Sequence, residues 1–156
     1  MKRNSGPAGS DSGSTDGCVM ITAEEVMELG ERFWELVRTH APTEEIEPFF
    51  LNPFVLIPDG QMMGLEAHQA MHLDFIDETH QWREMSVVPI CEDPERVRAT
   101  GSVAWEASFS DGRPGRIKSV VEETWVIERG SDGGLRWVFY WSKSIDLAEG
   151  SASFDP

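Results

Sequence analysis

The chain has 156 residues, enough for one domain with a real core, and 40% hydrophobic with 26% charged residues is ordinary for a globular protein. Its 13 basic and 28 acidic side chains give a formal net charge of −15, a field that repels nucleic-acid phosphates and anionic lipid headgroups, so neither nucleic acid nor a membrane is an expected partner. Cys18 and Cys91 build no disulfide framework or common metal site, no apolar run approaches a membrane span, and no apolar stretch follows Lys2 and Arg3 as in a secretion signal; the expected compartment is the cytoplasm.

Residues 1–20, "MKRNSGPAGSDSGSTDGCVM", carry almost nothing large and apolar to bury, and read as a disordered tail ahead of a domain over 21–147, with a short C-terminal tail at 148–156. The domain opens on "TAEEVMELGERFWELVRTH". Thr22 followed by Glu25 is a capping box, and Val26, Leu29, Phe33, Leu36, Val37 and His40 recur at helical spacing. "PTEEIEPFF" reads as a second, short helix disturbed by Pro48. "PFVLIPDGQMMG" reads as a strand, a turn at Asp59-Gly60 and a short return. A third helix is expected from near Gly64 to about Thr79.

The period then falls to two. Strands are expected over 82–92, 95–109, 116–128 and 135–145, separated by "EDPE", "SDGRPG" and "GSDGG", all of them turn chemistry. Short links between long strands mean antiparallel hairpins. Three helices followed by a meander is an α+β arrangement, the helices packed on one face of a curved antiparallel sheet. Alternation puts Val97, Ala99, Val103, Trp105, Ala107 and Phe109 on the inner face of one strand, and Ile117, Val121, Glu123, Trp125 and Ile127 on that of the next. In "LRWVFYWSK", Trp137, Phe139 and Trp141 alternate with Val138 and Tyr140, so both faces are apolar; a homodimer through the sheet would cover the outer one, and a twisted sheet burying part of both faces is the alternative.

Two segments carry a resemblance. "PFFLNPFVLIPDGQMMGLEAHQAM" resembles the stretch of NTF2-like proteins of the SnoaL-like kind in which a helix ends in a large aromatic, a strand runs to a Pro-Asp-Gly turn, and a glycine opens the third helix. "EETWVIERGSDGGLRWVFYWSKS" resembles the last hairpin of that superfamily. The resemblance covers about residues 22–145 and implies a cone-shaped fold with an open apolar pocket for a small ligand and common dimerisation through the sheet. The superfamily holds isomerases, dehydratases, epoxide hydrolases, cyclases and non-catalytic pockets, so it does not assign chemistry. The carboxylate that ketosteroid isomerases carry before the proline of the first strand would fall at Ile57, which cannot take a proton, and the Arg and Asp set of limonene epoxide hydrolases has no match on the inner faces.

The candidate site centres on "GLEAHQAMHLDF". On the expected helix, Leu65, His68, Met71, His72, Phe75 and Ile76 share one stripe, with His68 and His72 one turn apart. Imidazole can exist in both protonation states near neutrality, so the pair suits acid–base work; satisfied structural histidines, and a metal pair needing a third ligand such as Glu123 or Asp59, are the alternatives. Glu123, an ionisable group on an apolar surface, or His72 is the candidate base, and His68 or Tyr140 the candidate polarising donor. Trp34, Met71, Phe75, Trp105 and Trp125 are candidate ligand contacts. The expected chemistry is proton transfer (isomerisation, dehydration or cyclisation) on an apolar or aromatic substrate, with a non-catalytic ligand-binding or assembly module as the alternative. No metal is expected and, with no Gly-rich phosphate loop, no cofactor. Because the stripe is otherwise apolar, leucine at either histidine is expected to preserve the fold.

Overall fold

A computed structural model describes residues 19–156. Most of the expected disordered tail, residues 1–18, lies outside the described residues. The elements are α1 (Ala23–Arg38), α2 (Thr43–Ile46) running into a 3-10 turn (Glu47–Phe49), β1 (Phe54–Ile57), β2 (Gln61–Gly64), α3 (Leu65–His72), β3 (Phe75–Ile90), β4 (Asp93–Phe109), β5 (Arg116–Arg129) and β6 (Leu135–Leu147). One six-stranded sheet, ordered β2-β1-β6-β5-β4-β3, holds the helices on one face. All pairs are antiparallel except β1 with β6, which meet in parallel at Leu56 and Trp141; the expected purely antiparallel sheet is corrected there. No helix is long and apolar enough to cross a membrane among the described residues.

Helix α1 begins as its sequence dictates. The Thr22 hydroxyl accepts from the Glu25 amide at 3.2 Å, and a Glu25 carboxylate oxygen accepts from the Thr22 amide at 2.9 Å, so two otherwise unpaired N–H groups are satisfied. The helix stops at Arg38; His40 lies beyond it at φ 53°, outside the helical run expected to include it. The inner stripe of α1, Val26, Leu29, Phe33, Trp34 and Val37, packs on Trp125, Trp137 and Tyr140 of the sheet. Gly30 permits the close approach: a Cβ there would stand 2.9 Å from ring carbons of both Trp125 and Trp82.

The third helix is shorter than its apolar stripe suggests. It ends at His72, and Phe75 opens β3 opposite Phe109. Pairing of Phe75 and Ile76 with Phe109 and Ser108 of β4 overrides continuation of the helix. Leu65, His68 and His72 are buried on the helix, Phe75 is buried from the strand, and Ile76 is left exposed.

The inner faces of β4 and β5 follow simple alternation, whereas β3 and β6 do not. In β3, Asp77 and Glu78 together oppose Ala107, with Asp77 at φ 51°, and Arg83 is a second extra residue between the Trp82–Val103 and Glu84–Ser102 pairs. These are β-bulges, each of which changes which neighbours face inward. Between them Glu78, His80 and Trp82 face the helices; on either side Phe75 and Met85 do. In β6, Val138 and Lys143 are the extra residues, so Trp137, Tyr140, Ser142 and Ile145 pair with Ile127, Trp125, Glu123 and Val121. This corrects the expected alternation. Tyr140 lies on the inner face with Trp137, and Phe139 and Trp141 are left to the outer one.

Candidate functional site

Between the helices and the concave face of the sheet lies a cavity of about 310 Å3. Its walls are mainly aromatic and aliphatic: Phe33, Trp34 and Val37 from α1, Phe75 from β3, Val103, Trp105 and Phe109 from β4, and Val121 and Ile145 from β5 and β6. Asp74 and Arg113 also line it, Arg113 lying over the Phe109 ring, and the remaining polar groups enter at two places. His68 and His72 come from α3 with His80 from β3, and Glu123, Tyr140 and Ser142 come from β5 and β6.

The two α3 histidines differ. The His72 Nδ1 stands 2.7 Å from Oε1 of Glu78, which is only 2% exposed, and the same oxygen accepts from the Trp105 indole N–H at 2.9 Å. Burial pushes the Glu78 carboxyl up, but these bonds and the neighbouring imidazole outweigh it and hold it below the usual carboxylate range. An ionised carboxylate only accepts, so Nδ1 of His72 carries the proton that faces Glu78. In the neutral imidazole this leaves the Nε2 lone pair available on a residue that lines the cavity. His68 stacks on Phe33 with ring centroids 5.7 Å apart and sits 4.5 Å from the His72 ring. Burial, reinforced by the neighbouring His72, drives its pKa down to about 3, so it is neutral at physiological pH. His80 lies flat against Trp34, 4.6 Å away and 7° from parallel, and burial lowers its pKa to about 3 as well.

At the second polar place, Glu123 is 5% exposed on β5. Its Oε2 accepts from the Trp125 indole at 3.0 Å, and the Ser142 hydroxyl lies 3.1–3.2 Å from both carboxyl oxygens. Tyr140 donates to Oε1 at 3.5 Å and accepts from the Trp34 indole at 3.4 Å. Burial dominates, and despite these bonds the Glu123 pKa is pushed up to about 8; burial also raises Tyr140 well above its ordinary value. Both groups are protonated at neutral pH. Glu123 is therefore suited to donating a proton or hydrogen bond.

Of the candidates named from sequence, His68, His72, Glu123, Tyr140, Trp34, Met71, Phe75 and Trp105 all line this one cavity. Trp125 does not: it is fully buried behind Glu123, and its part is to hold that carboxyl. Glu78, His80 and Ser142 are polar groups that sequence reasoning missed. An expected helix running to Thr79 hid Glu78, the period-two pattern His80, Trp82 was the available signal beside it, and the bulges of β6 hid Ser142. Asp59, at φ 67°, is a turn residue and not among the cavity walls. Among the described residues, no three His, Cys, Asp or Glu side chains come together as metal ligands.

No protein-family model matches the sequence, and no curated protein does. Solved structures do match the fold. An NTF2-like protein from Cytophaga hutchinsonii superposes with a TM-score of 0.58 at 10% identity, over 83% of this chain and 100% of that one. A hexachlorocyclohexane dehydrochlorinase, LinA-type3, from Novosphingobium barchaimii gives 0.60 at 13% identity, over 85% and 94%. A conserved protein from Planctomyces limnophilus gives 0.61 at 12% identity, over 80% and 96%. With three helices laid against a curved six-stranded sheet, this chain has the NTF2-like fold.

Proposed function

We propose that the cavity binds an uncharged apolar or aromatic small molecule and catalyses proton transfer on it without a cofactor, as in an isomerisation, dehydration or related elimination. The observation that carries this reading is the buried 2.7 Å contact between His72 and Glu78. A carboxylate that fixes the tautomer of an imidazole orients the other ring nitrogen to accept a proton and faces the cation that results. His72 takes the substrate proton at Nε2, and the imidazolium that forms is stabilised by Glu78. Glu123, protonated and itself accepting from the Tyr140 hydroxyl, is the donor to a carbonyl, hydroxyl or leaving group elsewhere on the substrate. The surrounding apolar walls exclude water and strengthen each of these interactions. They also penalise a charged ligand, which would enter without its hydration. The fold hosts at least one dehydrochlorinase.

The test is a panel of neutral aromatic ketones and alcohols screened for binding by thermal shift, each hit then incubated with the protein in D2O and followed by NMR for deuterium uptake or product. His72→Gln and Glu78→Gln are expected to lower the rate of any active hit by about 100-fold or more. Binders that exchange no proton and give no product would instead make the cavity a non-catalytic binding site.

A further inference from the structure

Among the cavity's lining residues, Met71, Asp74 and Phe154 are the exposed ones, so they mark its mouth. Met71 and Asp74 belong to a fixed side. The Asp74 amide donates to the Met71 carbonyl, and the Asp74 carbonyl accepts from Ser110 at 2.9 Å, tying the end of α3 to the sheet. Phe154 belongs to the segment after β6, which is held differently. Where β6 ends at Leu147, the chain continues alongside β5: Ala148 donates to the Lys118 carbonyl at 2.8 Å, the Ser151 hydroxyl accepts from the Lys118 amide at 2.9 Å, and Ala152 donates to the Arg116 carbonyl at 2.9 Å. Beyond Ala152 the only hydrogen bond found among the described residues runs from the Asp155 amide to the Ser153 hydroxyl, inside the segment itself.

Phe154 is thus a large apolar side chain just past the last anchor of its segment. It is 40% exposed, and its ring lies nearly parallel to Trp105, 11° off at 6.1 Å, with its edge toward Phe75 at 6.3 Å. These contacts hold the ring over the opening with no hydrogen bond to break, and moving it leaves the anchors at Lys118 and Arg116 intact. We propose that Phe154 is the gate of the cavity, swinging off Trp105 and Phe75 to admit a flat aromatic ligand and returning over it. The proposal rests on reading the cavity as a small-molecule site, but not on turnover.

The experiment places a thiol behind the gate. Val121 lines the cavity in the same cluster as Phe75, Trp105 and Phe109, so Val121→Cys in a Cys18→Ser, Cys91→Ser background gives one buried reactive group. Its rate of addition to N-phenylmaleimide, a neutral flat probe, is followed by mass spectrometry. Phe154→Ala is expected to raise that rate at least fivefold. Ser151→Ala keeps the ring but loosens the anchor, and is expected to raise it about twofold. An unchanged rate in Phe154→Ala overturns the proposal, as does a thiol that the probe reaches in no variant. Labelling requires no catalysis, so a cavity that only binds would fail the turnover assay and still pass this one.

Discussion

Replacing Glu123 with glutamine isolates the cost of a buried carboxyl. In the native protein this group keeps its proton up to about pH 8, whereas the unfolded chain releases it near the ordinary 4.5. Unfolding therefore releases a proton across that window, and the native state loses stability as the pH rises through it. One pH unit between the two values is worth about 1.4 kcal/mol. Wild type should lose about 4 kcal/mol relative to Glu123→Gln between pH 5 and pH 9, since the amide does not titrate and every other group is common to both proteins. At pH 5 the two should be within about 1 kcal/mol, because glutamine can still accept from Trp125 and Ser142. Urea unfolding at the two pH values reads this directly as a midpoint for the variant that overtakes wild type by about 2 M at pH 9. A wild-type-to-variant gap that stays constant with pH would refute the reasoning, because it would mean that Glu123 ionises in the fold as it does in water.

The histidine pair should not respond uniformly to leucine: His72→Leu strands the buried Glu78 carboxylate and should cost about 3 kcal/mol in chemical denaturation, while His68→Leu should change stability by no more than about 1 kcal/mol. Equal effects would mean that Glu78 does not depend on His72. The outer face of β6, with Phe139 and Trp141, is expected to pair two copies of the chain, so light scattering at micromolar concentration should give twice the mass of one chain, and Trp141→Glu should return it to one. Gly30→Ala should destabilise by about 1–3 kcal/mol, since its Cβ would press on the rings of Trp125 and Trp82; a neutral effect in thermal unfolding would show that α1 can shift outward.

Much of this architecture is legible because local rules decide it. The Thr22–Glu25 cap, the inner stripe of α1, the turn at Asp59-Gly60 and the inner faces of β4 and β5 each depend on residues a few positions apart. The end of α3 is not decided locally. "FIDET" sits in phase with the helix before it, and becomes strand because Phe75 can pair with Phe109, more than 30 residues away. The bulges are harder still, since an extra residue in β3 or β6 is defined only against its partner strand. That is why Glu78 was invisible while His72, its partner, was conspicuous, and why Tyr140 could be assigned to either face. Glu123 was visible because β5 keeps strict alternation, but its protonation follows from how completely the helices and sheet enclose it, which no spacing reveals.

The bulges come in pairs, and this has a consequence for how such a site can change. In β3 the inward positions are odd at Phe75, even at Glu78, His80 and Trp82, and odd again from Met85. In β6 they are odd at Trp137, even at Tyr140 and Ser142, and odd again from Ile145. Each pair encloses a cassette of reversed parity whose ends rejoin the frame of the surrounding strand. The scaffold is written in one parity and much of the cavity's chemistry in the other. Cancelling both bulges of β3 without deleting a residue would turn Thr79 and Gln81 inward in place of His80 and Trp82, and would keep the facing of the strand ends while sliding Met85 from opposite Gly101 to opposite Ala99. Cancelling one alone would carry the reversal to a strand end and turn core residues outward. Two coordinated changes of backbone conformation thus separate this cavity from one with a different set of polar groups.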